Sequence, residues 1–164
     1  MNSKKLGLAV LLIVILTASA FAVGSRRPVR RGPTSYAKGD MLVSPELVLV
    51  YSTTSLGADL EYFINGNISV GGDLLLFLEG NGGMIISPDV AFHFDVKVEN
   101  LDVFAGAGPA LAFAFSGGGS EFGFKPFGGA RYFFTPKLAA YFKLLAFIGS
   151  GSSFGGAFGV SFQL

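Results

Sequence analysis

The chain has 164 residues, of which 24 are glycine and 18 phenylalanine, and it contains no tryptophan and no cysteine. Its length suits one domain with short appendages, and the lack of cysteine excludes a disulfide scaffold, a thiolate metal centre and a lipid-modified N-terminal cysteine. Half of the residues are apolar, charged residues make up only 14%, and the near-neutral total hides a strong segregation of charge along the chain.

Lys4 and Lys5 precede an unbroken apolar run over residues 6–16, and Ala20-Phe21-Ala22 follows as a small-x-small site. This is the order of a secretory signal peptide, so residues 1–22 are expected to be removed after Ala22. A membrane helix needs about 20 apolar residues, and Gly7, Thr17 and Ser19 weaken that alternative. The Arg26-Arg27 pair lies beyond the apolar run, where it is not a twin-arginine export signal. Residues 23–39 carry Arg26, Arg27, Arg30, Arg31 and Lys38 with no acid, and with Pro28 and Pro33 they read as a disordered basic leader. From residue 40 onward eleven acids stand against five bases, Lys97, Lys125, Arg131, Lys137 and Lys143.

Eight strands are expected within residues 40–164. The first, 41–51, sets Leu47, Leu49 and Tyr51 against Ser44, Glu46 and Val48. The second, 56–64, sets Ala58, Leu60, Tyr62 and Ile64 against Gly57, Asp59, Glu61 and Phe63, and Asn65-Gly66-Asn67 is a hairpin turn. In the third, 68–79, Ile68, Val70, Leu74, Leu76 and Leu78 oppose Ser69, Gly71, Asp73, Phe77 and Glu79. The fourth begins between residues 85 and 89 and alternates without a break to Glu99, with Val90, Phe92, Phe94, Val96 and Val98 on one face and Asp89, Ala91, His93, Asp95, Lys97 and Glu99 on the other. The fifth, 101–115, opposes Leu101, Val103, Leu111, Phe113 and Phe115 to Asp102 and a row of glycine and alanine. In the sixth, 121–134, Phe122, Phe124, Ala130, Tyr132 and Phe134 oppose Lys125, Gly129 and Arg131. The seventh, 138–148, sets Leu138, Phe142, Leu144 and Ile148 against Tyr141, Lys143 and Phe147, and the last gathers Phe154, Phe158, Val160, Phe162 and Leu164 on one face. Tight connections are expected after strands two, four and six and longer ones after strands one, three, five and seven, the asymmetry of an outer-membrane barrel.

The alternation by itself fits either a soluble barrel of the lipocalin type, which would bury the apolar face, or a membrane barrel, which would expose it. The charged face is rich in small residues suited to a crowded interior. Tyr51, Tyr62 and Tyr132 sit on the apolar face near strand ends, where a lipid–water boundary would place them. A water-facing exterior made of Phe113, Phe115, Phe122, Phe124, Phe142 and Phe158 would aggregate. In hydrocarbon every backbone polar group needs an internal partner, so the strands must close on themselves. The expected fold is therefore all-β: a closed antiparallel eight-stranded up-and-down transmembrane β-barrel preceded by a signal peptide.

On these features residues 40–164 resemble the small eight-stranded outer-membrane barrels typified by the OmpA membrane domain and OmpX. The terminal Gly159-Val160-Ser161-Phe162-Gln163-Leu164 is similar to the insertion signal of that family, with Gly159, Phe162 and Leu164 at its key positions, although Leu164 stands where Phe is usual and Ala157 where a polar residue often begins the motif. The resemblance implies residence in the outer membrane of a bacterial envelope, contact with its lipid, and insertion by the barrel-assembly machinery.

Inside such a barrel Glu46, Asp59, Glu61, Asp73, Asp95, Asp102, Lys97, Lys125, Arg131 and Lys143 would point inward. Eight strands enclose a space that side chains just fill, so these charges must pair. Glu46, Asp59, Glu61, Asp73, Lys125, Lys143 and Arg131 are expected to form an ion network that closes the lumen, with a narrow pore as the competing reading. His93 and Asp95 face the same way, but neither Ser44 nor Ser69 is evidently placed as a nucleophile, so His93 is read as a member of the ionic network. No metal-ligand set appears, and no glycine cluster is followed by the Lys-Ser/Thr of a phosphate loop. The leader reads as a solvated tail, as a contact for anionic headgroups or cell-wall polymers, or as a segment folded back on the acidic barrel mouth. The expected function is that of a non-enzymatic, monomeric outer-membrane protein with a structural or surface role, without cofactor or nucleic acid. Its outward loops of Gly, Ser, Thr and Asn offer little grip for an adhesin or receptor. The runner-up is a secreted soluble barrel that binds an apolar ligand.

Overall fold

The structure, a computed structural model, describes residues 36–50, 53–77, 82–117 and 119–164. The signal segment, residues 23–35 of the basic leader, Tyr51, Leu78 and Glu79 lie outside the described residues. The chain forms β1 (Met41–Val50), β2 (Thr53–Phe63), β3 (Ile68–Phe77), β4 (Gly83–Phe94), β5 (Leu101–Ala114), β6 (Ser120–Thr135), β7 (Leu138–Ile148) and β8 (Ser152–Gln163). Each strand pairs antiparallel with its neighbours in sequence, and β1 also pairs with β8, from Leu42 opposite Gln163 to Val50 opposite Gly155. The sheet closes on itself and leaves no edge. Strands run from 10 residues in β1 to 16 in β6, enough for tilted strands to cross a bilayer core.

The period-two pattern decides the faces. Leu60, Leu74, Phe92, Phe142 and Phe158 point outward and remain exposed, while Asp59, Asp73, His93, Tyr141 and Lys143 from the same strands are buried inside. Aromatic side chains cluster outside at both ends. Tyr62, Phe92, Phe94, Tyr132 and Phe134 surround the end that carries residue 36, and Phe115, Phe122 and Phe154 surround the other.

Two expectations are corrected. β4 starts at Gly83 and stops at Phe94, although its alternation continues in sequence to Glu99. The ladder ends because Phe92 already pairs with the first residue of β3 and Phe94 with Val103 of β5. Beyond that point the Asp95 carboxylate accepts from the Lys97 amide at 3.3 Å, and Lys97 and Asn100 adopt φ of 51° and 66°. This is local turn chemistry taking over where partner strands run out. Asp95 and Lys97 are therefore exposed at the rim, outside the lumen. Nor do the connections alternate in length: β1 ends at Val50 and β2 begins at Thr53, whereas β4 ends at Phe94 and β5 begins only at Leu101.

Candidate functional site

The lumen is filled in layers, each set by inward positions on several strands. At the end next to residue 36, Leu42, Phe63, Phe133 and Ala139 pack around Tyr36, whose ring stacks on Phe63 with centroids 3.7 Å apart. Tyr36 belongs to the segment expected to be disordered, yet it is 5% exposed and plugs the barrel. Its hydroxyl donates to Asp102 Oδ2 at 2.7 Å.

Above this aromatic plug lies a cluster around Arg131. Its guanidinium donates to Glu61 Oε2 at 2.9 Å, Asp102 Oδ2 at 3.0 Å, Ser161 Oγ at 2.9 Å and the Tyr36 hydroxyl at 3.3 Å. Ser44 Oγ extends the network by donating to Ser161 Oγ at 2.8 Å. The planar fork of arginine serves two carboxylates at once, which a lysine ammonium would do less well. On the other side of Asp102, His93 Nδ1 lies 3.0 Å from Oδ1, and His93 Nε2 lies 3.0 Å from Ser69 Oγ.

Serine, histidine and aspartate thus stand in relay order, with Ser69 as the serine and Asp102, not Asp95, as the acid. Ser69 is 1% exposed, the rings of Tyr36, Phe63 and Phe104 pack about the imidazole, and Asp102 is shared with Arg131 and Tyr36. Catalysis needs a place for a reacting atom beside the nucleophile. Here the surrounding groups tie the imidazole into the ion network.

A second cluster fills the middle of the barrel. Lys143 Nζ lies 2.8 Å from Asp73 Oδ1 and 3.2 Å from both Asp59 Oδ2 and Glu46 Oε2. Lys125 Nζ pairs with Asp73 and, at 3.2 Å, with Asp89. Tyr141 donates its hydroxyl to Glu46. Glu46, Asp59 and Asp73 offer oxygens within 4.8 Å of one another, a spacing that would suit a metal ion, but the Lys143 ammonium already lies against all three. Between the clusters the faces of Phe104 and Phe127 receive cations: Arg131 sits 4.9 Å from the Phe104 centroid and Lys125 5.1 Å from that of Phe127. Glycines make room for these rings. A Cβ on Gly106 would lie 2.5 Å from Phe127 Cζ, and one on Gly129 would lie 2.8 Å from Phe104 Cζ.

All seven residues expected to form the network, Glu46, Asp59, Glu61, Asp73, Lys125, Lys143 and Arg131, are buried in the lumen, but in two groups rather than one: Glu61 and Arg131 belong to the lower cluster and the other five to the upper. Asp89 and Tyr141 were on the charged face by parity and join the upper group. Tyr36 carried no signal, because its position depends on a residue of the leader entering the barrel. Of the expected insertion signal, Gly159 lies on β8 where a Cβ would strike the Pro45 carbonyl of β1, and Phe162 pairs with Val43 and Leu138. Leu164 donates its backbone amide to the Met41 carbonyl at 3.0 Å.

With this geometry in place, the barrel can be set beside known structures. The N-terminal β-barrel domain of OprF from Pseudomonas aeruginosa superposes with a TM-score of 0.70 at 17% identity, over 79% of this chain and all of that one. The fold is that of the small outer-membrane barrels. A de novo designed transmembrane β-barrel matches with a TM-score of 0.64 at 13% identity, covering 79% of this chain and 99% of that chain. OprG, an outer-membrane protein from Pseudomonas aeruginosa, matches at 0.57 and 8% identity, covering 80% and 98%. No family model matches the sequence, and a search of curated proteins finds no match.

Proposed function

We propose that the chain is an integral protein of the bacterial outer membrane with a structural or surface role, whose lumen is closed by two layers of ion pairs. The observation that carries this reading is the inversion of the barrel: Arg131, Lys125 and Lys143 are at most 1% exposed inside it, whereas Phe122, Phe134 and Phe154 are 64–74% exposed outside. Water would favour the reverse, and hydrocarbon favours this arrangement. In this reading residues 1–22 direct export, residues 23–35 form a basic tail, and the barrel-assembly machinery reads Gly159, Phe162 and Leu164 on β8. The protein works as a monomer surrounded by lipid and without an enzymatic step. The ion-paired, ring-packed layers between Tyr36 and Lys125 favour a plug over a pore, so a purified sample in a planar bilayer is expected to show no stable open channel.

Because the chain lacks cysteine, single cysteines can be placed at positions 90–94 against a silent background. A lipid-phase thiol probe is expected to label positions 90, 92 and 94 and to spare 91 and 93. Aqueous labelling of 92 and 94, with a mature chain that stays monomeric in buffer without surfactant, overturns the membrane reading and leaves the soluble barrel.

A further inference from the structure

The third of the lumen farthest from Tyr36 breaks the rule that the rest obeys. Val50, Leu75, Phe77, Ile85, Leu145 and Phe147 face inward there, and together they line a cavity of about 190 Å³. β5 contributes only Ala112, which pairs with Ile85 on one side and Glu121 on the other, and β8 only Ser153, so the space stays open where these small side chains stand among the large ones. The floor is Lys125, but its ammonium is held by Asp73 and Asp89. At the rim the Glu121 carboxylate is engaged by the β7–β8 connection, accepting from the Ser150 amide at 2.5 Å and the Ser150 hydroxyl at 2.7 Å. Both charged groups lining the cavity are thus already partnered. Phe77, Ile85, Ala112 and Glu121 also line the wide mouth above, which links the cavity to that end of the barrel.

Small barrels are normally filled by their own side chains, and protein interiors contain few voids larger than a water molecule. A cavity with apolar walls gives water few partners and stays dry; one of about 150 Å³ lined by Leu, Ile and Phe is large enough to take benzene. We infer that the distal third of the lumen is a binding site for a small uncharged apolar molecule of monocyclic-aromatic or short-alkyl size, entered from the mouth opposite Tyr36. The polar layers beneath set its depth, because a longer chain would have to displace Lys125 from Asp73 and Asp89.

Adjacent residues of opposite parity provide the test. The full mature chain, with methyl labels on Leu and Ile, is placed in nanodiscs of perdeuterated lipid and exposed to p-xylene. Cross-peaks are expected from the probe to the inward methyls of Leu75, Ile85 and Leu145, in addition to those from probe dissolved in the bilayer to the outward methyls of Leu74, Ile86 and Leu144. Ala112→Phe, which fills the cavity, and the milder Ala112→Leu are expected to abolish the inward set and leave the outward set. Contacts confined to Leu74, Ile86 and Leu144 in the unsubstituted protein, or inward contacts that survive both substitutions, overturn the site. Lipid contact with the outward methyls, read separately with protonated lipid, reports on membrane insertion, so failure of that reading is distinguishable from failure of this one.

Discussion

Replacing Arg131 with methionine keeps most of the side chain's volume and removes its charge, which isolates what the guanidinium contributes. Arg131 is fully buried and holds Glu61 at 2.9 Å and Asp102 at 3.0 Å. Removing one partner of a buried ion pair costs about 3–5 kcal/mol, because the remaining charge loses its compensation in a place water does not reach. Here two carboxylates lose the same cation, and His93 remains beside only one of them. The expected loss is therefore at least that large, against a total stability of roughly 5–15 kcal/mol for a typical domain. With a urea slope of about 2 kcal/mol per molar, the midpoint falls by roughly 1.5–2.5 M. Unfolding from phospholipid bilayers is followed by far-ultraviolet circular dichroism and by the mobility difference between folded and unfolded chains in electrophoresis, since the chain has no tryptophan to report. Adding Glu61→Gln and Asp102→Asn to Arg131→Met removes the stranded charges and is expected to recover most of the loss. A midpoint shift below about 0.3 M for Arg131→Met alone, or no recovery in the triple variant, refutes the account of the lumen as an obligatory ion network.

Tyr36→Phe keeps the stack on Phe63 and removes the hydroxyl that bonds Asp102 and Arg131. The expected cost is about 1.5–3 kcal/mol, the range for hydrogen bonds to charged groups, read in the same urea titration. Tyr36→Ala should cost more, and equal effects of the two would show that the ring does not plug the barrel. Gly129 and Gly128 form a matched pair. A Cβ at Gly129 would strike the Phe142 carbonyl oxygen and press on Phe104 Cζ at 2.8 Å, while one at Gly128 meets ordinary contacts at 3.6 and 3.8 Å. Gly129→Ala is expected to destabilise by about 1–3 kcal/mol through overpacking, with Gly128→Ala near neutral; the two urea midpoints decide it, and similar values would contradict the close approach of β7 and Phe104 to Gly129.

Much of the barrel was legible because strand periodicity is a one-dimensional code. β7 was readable at both ends, since Leu138 follows a Thr-Pro turn and Ile148 precedes a glycine-serine run, and both ends agree with the structure. The inward positions of Glu46, Asp59, Asp73 and Lys143 followed from parity alone, because slipping by one residue would turn every side chain to the other face. The far end of β4 was not legible. Val96 and Val98 continue the pattern, but a strand persists only while a partner offers backbone groups, and β3 begins at Ile68. The distal cavity left a faint trace in the apolar runs 74–77 and 144–148, where the alternation dissolves because both faces are apolar, one toward the exterior and one toward the cavity.

The sequence by itself determined the number of strands, the orientation of each face and most of the charges that share the interior, Asp95 and Lys97 excepted, since these depend on local alternation and on the requirement that backbone groups be paired. Tertiary structure alone decided which charge meets which. Arg131 reaches Glu61 and Asp102 across 70 and 29 residues of chain, and Lys143 takes the centre of three carboxylates contributed by three other strands. It also decided that Tyr36 leaves the basic leader to close one end of the barrel. Those partnerships depend on barrel closure and on the stagger between strands, quantities that belong to the whole sheet and to no segment of it.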